Sequence, residues 1–257
     1  MQDVQWVNGK MSKKNEIVIY WSNATTKKNN DQDWTLLYPK PNTLFEDLFF
    51  KKNKKLDPAN YFSCPAINKK IKNTIVFKSP MTCSYHYEEN KEQLVVIPTT
   101  ENYIGFRQER LPVINSGPIV LFSMQYILFC EEDLDVSFTA PYFHKTEYMK
   151  SGSTVPGEFN IGSWFRPYNL EVQMWSNKGD ITFKEDEPLF YAEAKTNKKI
   201  ILQQFEYTDK LHDYVMACVN STTLFGKNKT LLSRYNRFNN TGLREKVLKE
   251  IKNNLVG

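Results

Sequence analysis

Residues Ile119–Cys130 read IVLFSMQYILFC, twelve positions in which only Ser123 and Gln125 interrupt the apolar run. A half-covered strand would alternate apolar and polar residues, and a surface helix would keep a polar stripe. A run apolar at both parities, rich in β-branched and aromatic side chains, fits a strand covered on both faces. It is too short for a membrane helix, which needs about 20 apolar residues. This strand therefore calls for a layer on each side of its sheet.

The flanking sequence supplies further strands. After the acidic turn at 131–133, residues 134–138 form another short apolar segment. Upstream, residues 74–78 are β-branched and end at Ser79-Pro80, residues 82–87 alternate, and residues 93–97 stop at Pro98. Proline closes the first and the last of these ladders because it has no amide proton to donate. Near the start, residues 16–21 and 34–38 read as strands, separated by a polar loop. Residues 42–50 suit one or two helical turns, and residues 51–60 a charged connector.

Downstream, residues 142–157 carry the Gly, Ser and Pro of an exposed loop. Leu170, Val172 and Met174 alternate with Glu171, Gln173 and Trp175, the period of a half-buried strand. Asn177-Lys178-Gly179-Asp180 is a turn signal, so 170–184 is predicted as a hairpin, and 189–194 with 199–205 as a second pair. After Tyr207 the period becomes helical. Leu211, Val215 and Cys218 share a face with Thr208 as N-cap; Leu231, Tyr235 and Phe238 mark a second helix, and Leu243, Val247, Ile251 and Leu255 a third.

About ten strands followed by two or three helices predict a mainly-β protein, a double-sheet sandwich or jelly roll with a helical C-terminal end. The expected organisation is a flexible lead-in over residues 1–15, a β-sandwich over 16–207, and a helical, basic appendage over 208–257 packed on the same unit. A chain of 257 residues can bury such a core without metal or disulfide staples. Cys64, Cys83, Cys130 and Cys218 are far apart and read as free thiols. No membrane segment or charged-then-apolar leader is visible, so the expectation is a soluble cytoplasmic protein.

The net charge of +5 is unevenly placed: residues 226–253 hold eight Lys or Arg against Glu245 and Glu250. Lys227, Lys229, Arg234, Arg237, Arg244 and Lys246 are the residues through which nucleic acid could be met. The bland alternative, a solvated face of a Lys-rich protein, fits the same residues, since no binding motif accompanies the charge.

No nucleophile elbow, phosphate loop, cofactor motif or His pair at metal spacing is recognisable. His86 and Glu88 would share one strand face and are the nearest approach to a ligand pair. The most distinctive stretch is 159–175. There Arg166 among Trp164, Phe165, Tyr168 and Trp175 could clamp a carboxylate or phosphate, or plug the core by stacking. With no catalytic set, the sequence leans towards a binding or interaction protein. A small-molecule enzyme or ligand carrier is the alternative.

Three blocks carry a resemblance. They are Ser63-Cys64-Pro65 with the strands at 74–87, Gly117-Pro118 with the strand that follows, and 157–188, with Trp164, Pro167, Met174, Trp175, Glu187 and Pro188. Their order over roughly residues 60–207 is similar to an uncharacterised domain family of bacteria and of tailed phages of marine bacteria. Asp186 stands where that family has glycine. The resemblance implies a cupin-like double-sheet fold without cupin metal ligands. It also implies a phage accessory or virion-associated protein, located in the host cytoplasm or the virion.

Overall fold

A computed structural model describes residues 5–7, 10–12, 15–25, 38–49, 61–89, 93–109, 117–219 and 231–257. The chain is mainly β, with several sheets and five α-helices among these residues. The strands are β1 (Gln5–Val7), β2 (Lys10–Ser12), β3 (Glu16–Asn23), β4 (Asn42–Thr43), β5 (Thr74–Lys78), β6 (Cys83–Glu89), β7 (Leu94–Pro98) and β8 (Phe106–Glu109). They continue with β9 (Ile119–Cys130), β10 (Asp135–Thr139), β11 (Gly152–Thr154), β12 (Gly157–Asn160), β13 (Pro167–Met174), β14 (Lys178–Phe183), β15 (Pro188–Ala194) and β16 (Lys199–Gln204). The helices are α1 (Leu44–Phe49), α2 (Pro65–Lys72), α3 (Asp209–Val219), α4 (Leu231–Asn240) and α5 (Leu243–Asn253).

One sheet runs β11-β13-β9-β3-β16, with β8 also on β9. A second runs β12-β10-β15-β5-β4, a third β14-β6-β7, and β1-β2 form a ribbon of their own. The ribbon falls inside 1–15, where the sequence suggested an unstructured lead-in. The inward faces of the three larger sheets meet in one apolar core that holds Trp21, Phe77, Tyr85, Phe122, Tyr126 and Phe190.

β9 is covered on both faces, as its composition requires. Tyr126, Leu128 and Cys130 enter the core between the sheets, whereas Ile127 and Phe129 face the other way, beneath the C-terminal helices. β3 divides likewise, with Ile17, Ile19 and Trp21 inward and Val18 and Tyr20 outward. The covering layer is α3–α5, whose stripes Leu211/Val215, Phe238 and Val247/Ile251 are buried against the sheet. Each such side chain contributes about 1.5–3 kcal/mol on burial. The Leu211 amide donates to the Thr208 hydroxyl at 3.2 Å, the N-cap expected of α3.

Two predicted pairings are corrected. β13 pairs β9 whereas β14 pairs β6, so 170–184 is not a hairpin. Nor do β15 and β16 pair with one another: β15 lies beside β5 and β10, and β16 runs parallel to β3. From β9 to β16 every connection passes to a different sheet. A turn sequence reverses the chain equally well within a sheet or across the space between sheets. Both strands then keep an inward face, so alternation cannot tell the two apart.

The segment 142–157 is not an exposed loop throughout: it holds β11, and Tyr148 within it is 1% exposed. α2 was not anticipated, although Pro65 at its first turn and three lysines in its last are helix signals. Of the strand expected at 34–38, all but Tyr38 lies outside the described residues, as does the connector at 51–60.

Candidate functional site

β9 is the element that opens a site. Along one edge it pairs with β8 over Ile119–Phe122 and with β3 over Tyr126–Cys130. The two partners leave a gap opposite Ser123, Met124 and Gln125. On the other edge the register with β13 slips there: Ser123 opposes Asn169, but Ile127 opposes Pro167. Two extra residues of β9 are absorbed as a bulge, with Gln125 at φ 54°, in the left-handed region. The bulge is held from both sides, since the Ala24 amide donates to the Gln125 carbonyl and the Ser123 amide to the Gly105 carbonyl.

Over this gap lies a cleft of about 460 Å3, within the range of small-ligand sites. Thr25, just past β3, and Ser123 and Gln125 line one wall; Glu101, Asn102 and Tyr103, between β7 and β8, line another. Tyr38, Met81 and Ile104 add apolar surface continuous with the core. Thr25 is 8% exposed and its hydroxyl has no hydrogen-bond partner among the described residues. An unsatisfied buried hydroxyl costs about 1–3 kcal/mol and is usually explained by something that binds it. Tyr103 is 50% exposed.

The aromatic segment singled out in the sequence is divided by the fold. Trp164 and Phe165 are buried beneath the helices, with Trp164 stacked on Tyr235 of α4 at 4.2 Å between ring centroids. Tyr168 faces the opposite core and stacks on Phe138. Trp175 is 60% exposed and its indole donates to the Met149 carbonyl. The four rings form no common pocket. Arg166 lies at the seam, its guanidinium 5.7 Å from the Phe159 centroid and 5.9 Å from that of Trp164. Its Nε is buried without a hydrogen-bond partner among the described residues, and it borders a void of about 60 Å3.

His86 and Glu88 do share a strand face, but it points to solvent. His86 Nδ1 is 2.8 Å from Asp180 and Glu88 2.9 Å from Lys178, both on the adjacent β14. Each is already paired and neither reaches a cavity. Of the basic residues, Lys227 and Lys229 lie outside the described residues. Arg244 is spent on structure, donating from Nε to the Gly162 carbonyl at 2.7 Å and from Nη2 to the Glu131 carbonyl. Arg237 and Lys246 are exposed.

A polar cluster that sequence reasoning missed lies between α1, β5 and β15. Thr43 and Glu46 cap α1 reciprocally, which sets Asp47 in the first turn. Its carboxylate takes Lys78 Nζ at 2.7 Å and His144 Nε2 at 2.9 Å. His144 Nδ1 in turn is bonded to the Tyr191 hydroxyl. The His144 hydrogen bond, against burial and aided by Lys78, holds Asp47 down to about 2. Burial pushes the Tyr191 phenol far above its ordinary value. Tyr191 is 0% exposed, so this Asp–His–Tyr line ends in packed core with no room for a substrate. It is a tether that ties four elements together. Its members come from segments that only the fold brings together, so no local motif announces it.

No helix among the described residues is long and apolar enough to cross a membrane. Buried Cys83, Cys130 and Cys218 and exposed Cys64 are free thiols. The site therefore defines no more than a class, a mainly-β protein with a polar cleft at a broken sheet edge. Compared with protein-family models, with curated proteins and with solved structures, the chain finds no match.

Proposed function

We propose that the chain is a non-catalytic binding protein that takes a small polar ligand into the cleft over the β9 bulge. The observation that carries this is the set of polar side chains at the cleft. Thr25, Glu101, Asn102, Ser123 and Gln125 all line it, and among the described residues none has its side chain bonded to another protein group. Hydrogen-bonding groups gathered in a concave site and not spent on the described residues are available to a ligand. In this reading the sheets form a double-sheet, jelly-roll-like scaffold, an arrangement favoured by connections that keep crossing between sheets. The parallel β3–β16 pair is a departure from a wholly antiparallel jelly roll. A phage accessory or virion-associated role remains the expectation attached to the resemblance.

Filling the cleft tests the reading. Among the described residues a Cβ at Gly105 would meet nothing nearer than the Ser123 Cβ at 3.9 Å, so Gly105→Leu occupies the opening without clashing with their backbone. Native mass spectrometry of the protein as expressed, with a small-molecule library added, should detect adducts that Gly105→Leu loses at unchanged thermal stability. Adducts retained by this variant would refute the site.

Arg166 favours a second reading, recognition of an acidic group on a partner. A guanidinium between two rings with a buried, unpaired Nε is prepared for a carboxylate or phosphate. Arg166→Ala should then abolish capture of acidic ligands while leaving the fold intact, and unchanged affinity would end the reading. Nucleic-acid contact is the weaker proposal, because Arg244 is engaged elsewhere; it requires affinity that falls steeply with salt. A cupin-like enzyme would need donors inside the sheets, where His86 and Glu88 do not lie.

A further inference from the structure

The chemistry of the cleft narrows what it would hold. We infer, on the reading that this cleft is the binding site, that its ligand is a neutral carbohydrate, taken as a single sugar unit stacked on Tyr103. Among the described residues that line the cleft Glu101 is the charged one, and no Lys or Arg stands with it. An anionic ligand would meet the Glu101 carboxylate with no cation among the described lining residues to offset it. The remaining polar groups are two hydroxyls, Thr25 and Ser123, and two amides, Asn102 and Gln125. An amide presents a donor and an acceptor side by side. Adjacent sugar hydroxyls, each able to donate and accept, match that arrangement. A carboxylate accepts from two hydroxyls at once, the part assigned to Glu101.

Tyr103 supplies the other half of such recognition. It is a large ring left 50% exposed at the lip of the cleft, its centroid 6.5 Å from that of Phe106 on β8. The face of an aromatic ring is negative and attracts the weakly positive C–H face of a sugar. An exposed ring beside unspent hydrogen-bonding groups thus offers both surfaces of a sugar a partner. The buried Thr25 hydroxyl, without a partner among the described residues, would bond the deepest sugar hydroxyl. The bound sugar would lie over the bulge between the ends of β3 and β8, beside the backbone bonds that tie Ala24 to Gln125 and Ser123 to Gly105.

The experiment is a titration of the full-length, 15N-labelled protein followed by amide chemical shifts. The probes are neutral monosaccharides and their methyl glycosides, choline as a cationic control, and inorganic phosphate as an anionic one. A ligand this small should bind with a dissociation constant on the order of 1 mM. A neutral sugar should shift amides around Gly105, Ser123 and Gln125. Tyr103→Ala, an exposed position, should weaken it about tenfold, and Glu101→Gln about threefold, with thermal midpoints unchanged. Choline or phosphate shifting those amides while no sugar does would overturn the ligand class and keep the cleft as the site. A sugar whose shifts lie elsewhere and survive Tyr103→Ala would overturn the inference. Silence from every probe would overturn the inference and the binding reading together.

Discussion

Replacing Asp47 by Asn keeps the side-chain shape and removes the charge that buried Lys78 and half-buried His144 face. The side chain of Asp47 is 6% exposed and that of Lys78 is 8% exposed, so the Lys78 ammonium would stay buried with no counter-charge. Breaking a buried pair from one side costs about 3–5 kcal/mol, roughly a fifth or more of a typical domain's 5–15 kcal/mol. The pH dependence gives an independent figure. Asp47 falls from an unfolded value of 3.8 to about 2, and each pKa unit corresponds to about 1.4 kcal/mol, so its ionisation contributes roughly 2–3 kcal/mol. A depressed carboxylate contributes stability above its unfolded value and loses it as pH falls through the folded one. The window is therefore pH 4 down to pH 2. Urea unfolding followed by tryptophan fluorescence should show Asp47→Asn losing about 3 kcal/mol or more at pH 7, with the gap to wild type closing between pH 4 and pH 2. Other carboxylates titrate in both proteins and cancel in the difference. Lys78→Met added to Asp47→Asn should recover part of the loss, since it removes the stranded charge. A cost under about 1 kcal/mol at pH 7, or a gap that ignores pH, would refute the tether.

Other substitutions probe other joints of the fold. Trp164→Ala removes the ring that stacks on Tyr235 and should cost about 3–5 kcal/mol; limited proteolysis should then cut α4 and α5 before the sheets, and equal cleavage rates would argue against a helical layer held by this ring. A Cβ at Gly162 would sit 2.2 Å from the Glu132 carbonyl oxygen. Gly162→Ala should therefore destabilise by about 1–3 kcal/mol in chemical denaturation, and a neutral result would disprove the close approach. Asp186 has φ 65°, where a residue with a Cβ is strained and Asp is better tolerated than most. Asp186→Ala should cost about 1 kcal/mol while Asp186→Gly should be near neutral; equal effects of the two would show that backbone strain is absent there.

The sequence made the periodicities legible but not the partners. The double covering of β9 followed from its apolar residues at both parities, and the stripes of α3–α5 stood in plain 3.6-residue spacing. The strands at 170–174 and 181–183 were found, yet joined wrongly, because an arch between sheets and a hairpin use the same turn chemistry. Pairing is decided by which faces meet in the core, a long-range matter. The aromatic run at 159–175 drew attention for its composition, but each ring serves a different neighbour. The cleft left only faint traces: Ser123 and Gln125 as the two polar interruptions of β9, read there as breaks in an apolar run. They mark the bulge and the wall of the site. Thr25, Glu101 and Tyr103 come from segments about 75 residues apart in the chain and had no reason to be grouped before the fold placed them.

The most direct test is a crystal of the protein soaked in a cocktail of small polar compounds. A bound molecule should appear in the cleft over the β9 bulge, within hydrogen-bond distance of the Thr25 hydroxyl and the Gln125 amide. Occupancy confined to the void beside Arg166, or to the shallow depression of about 610 Å3 along α2, with the cleft left to solvent, would contradict it.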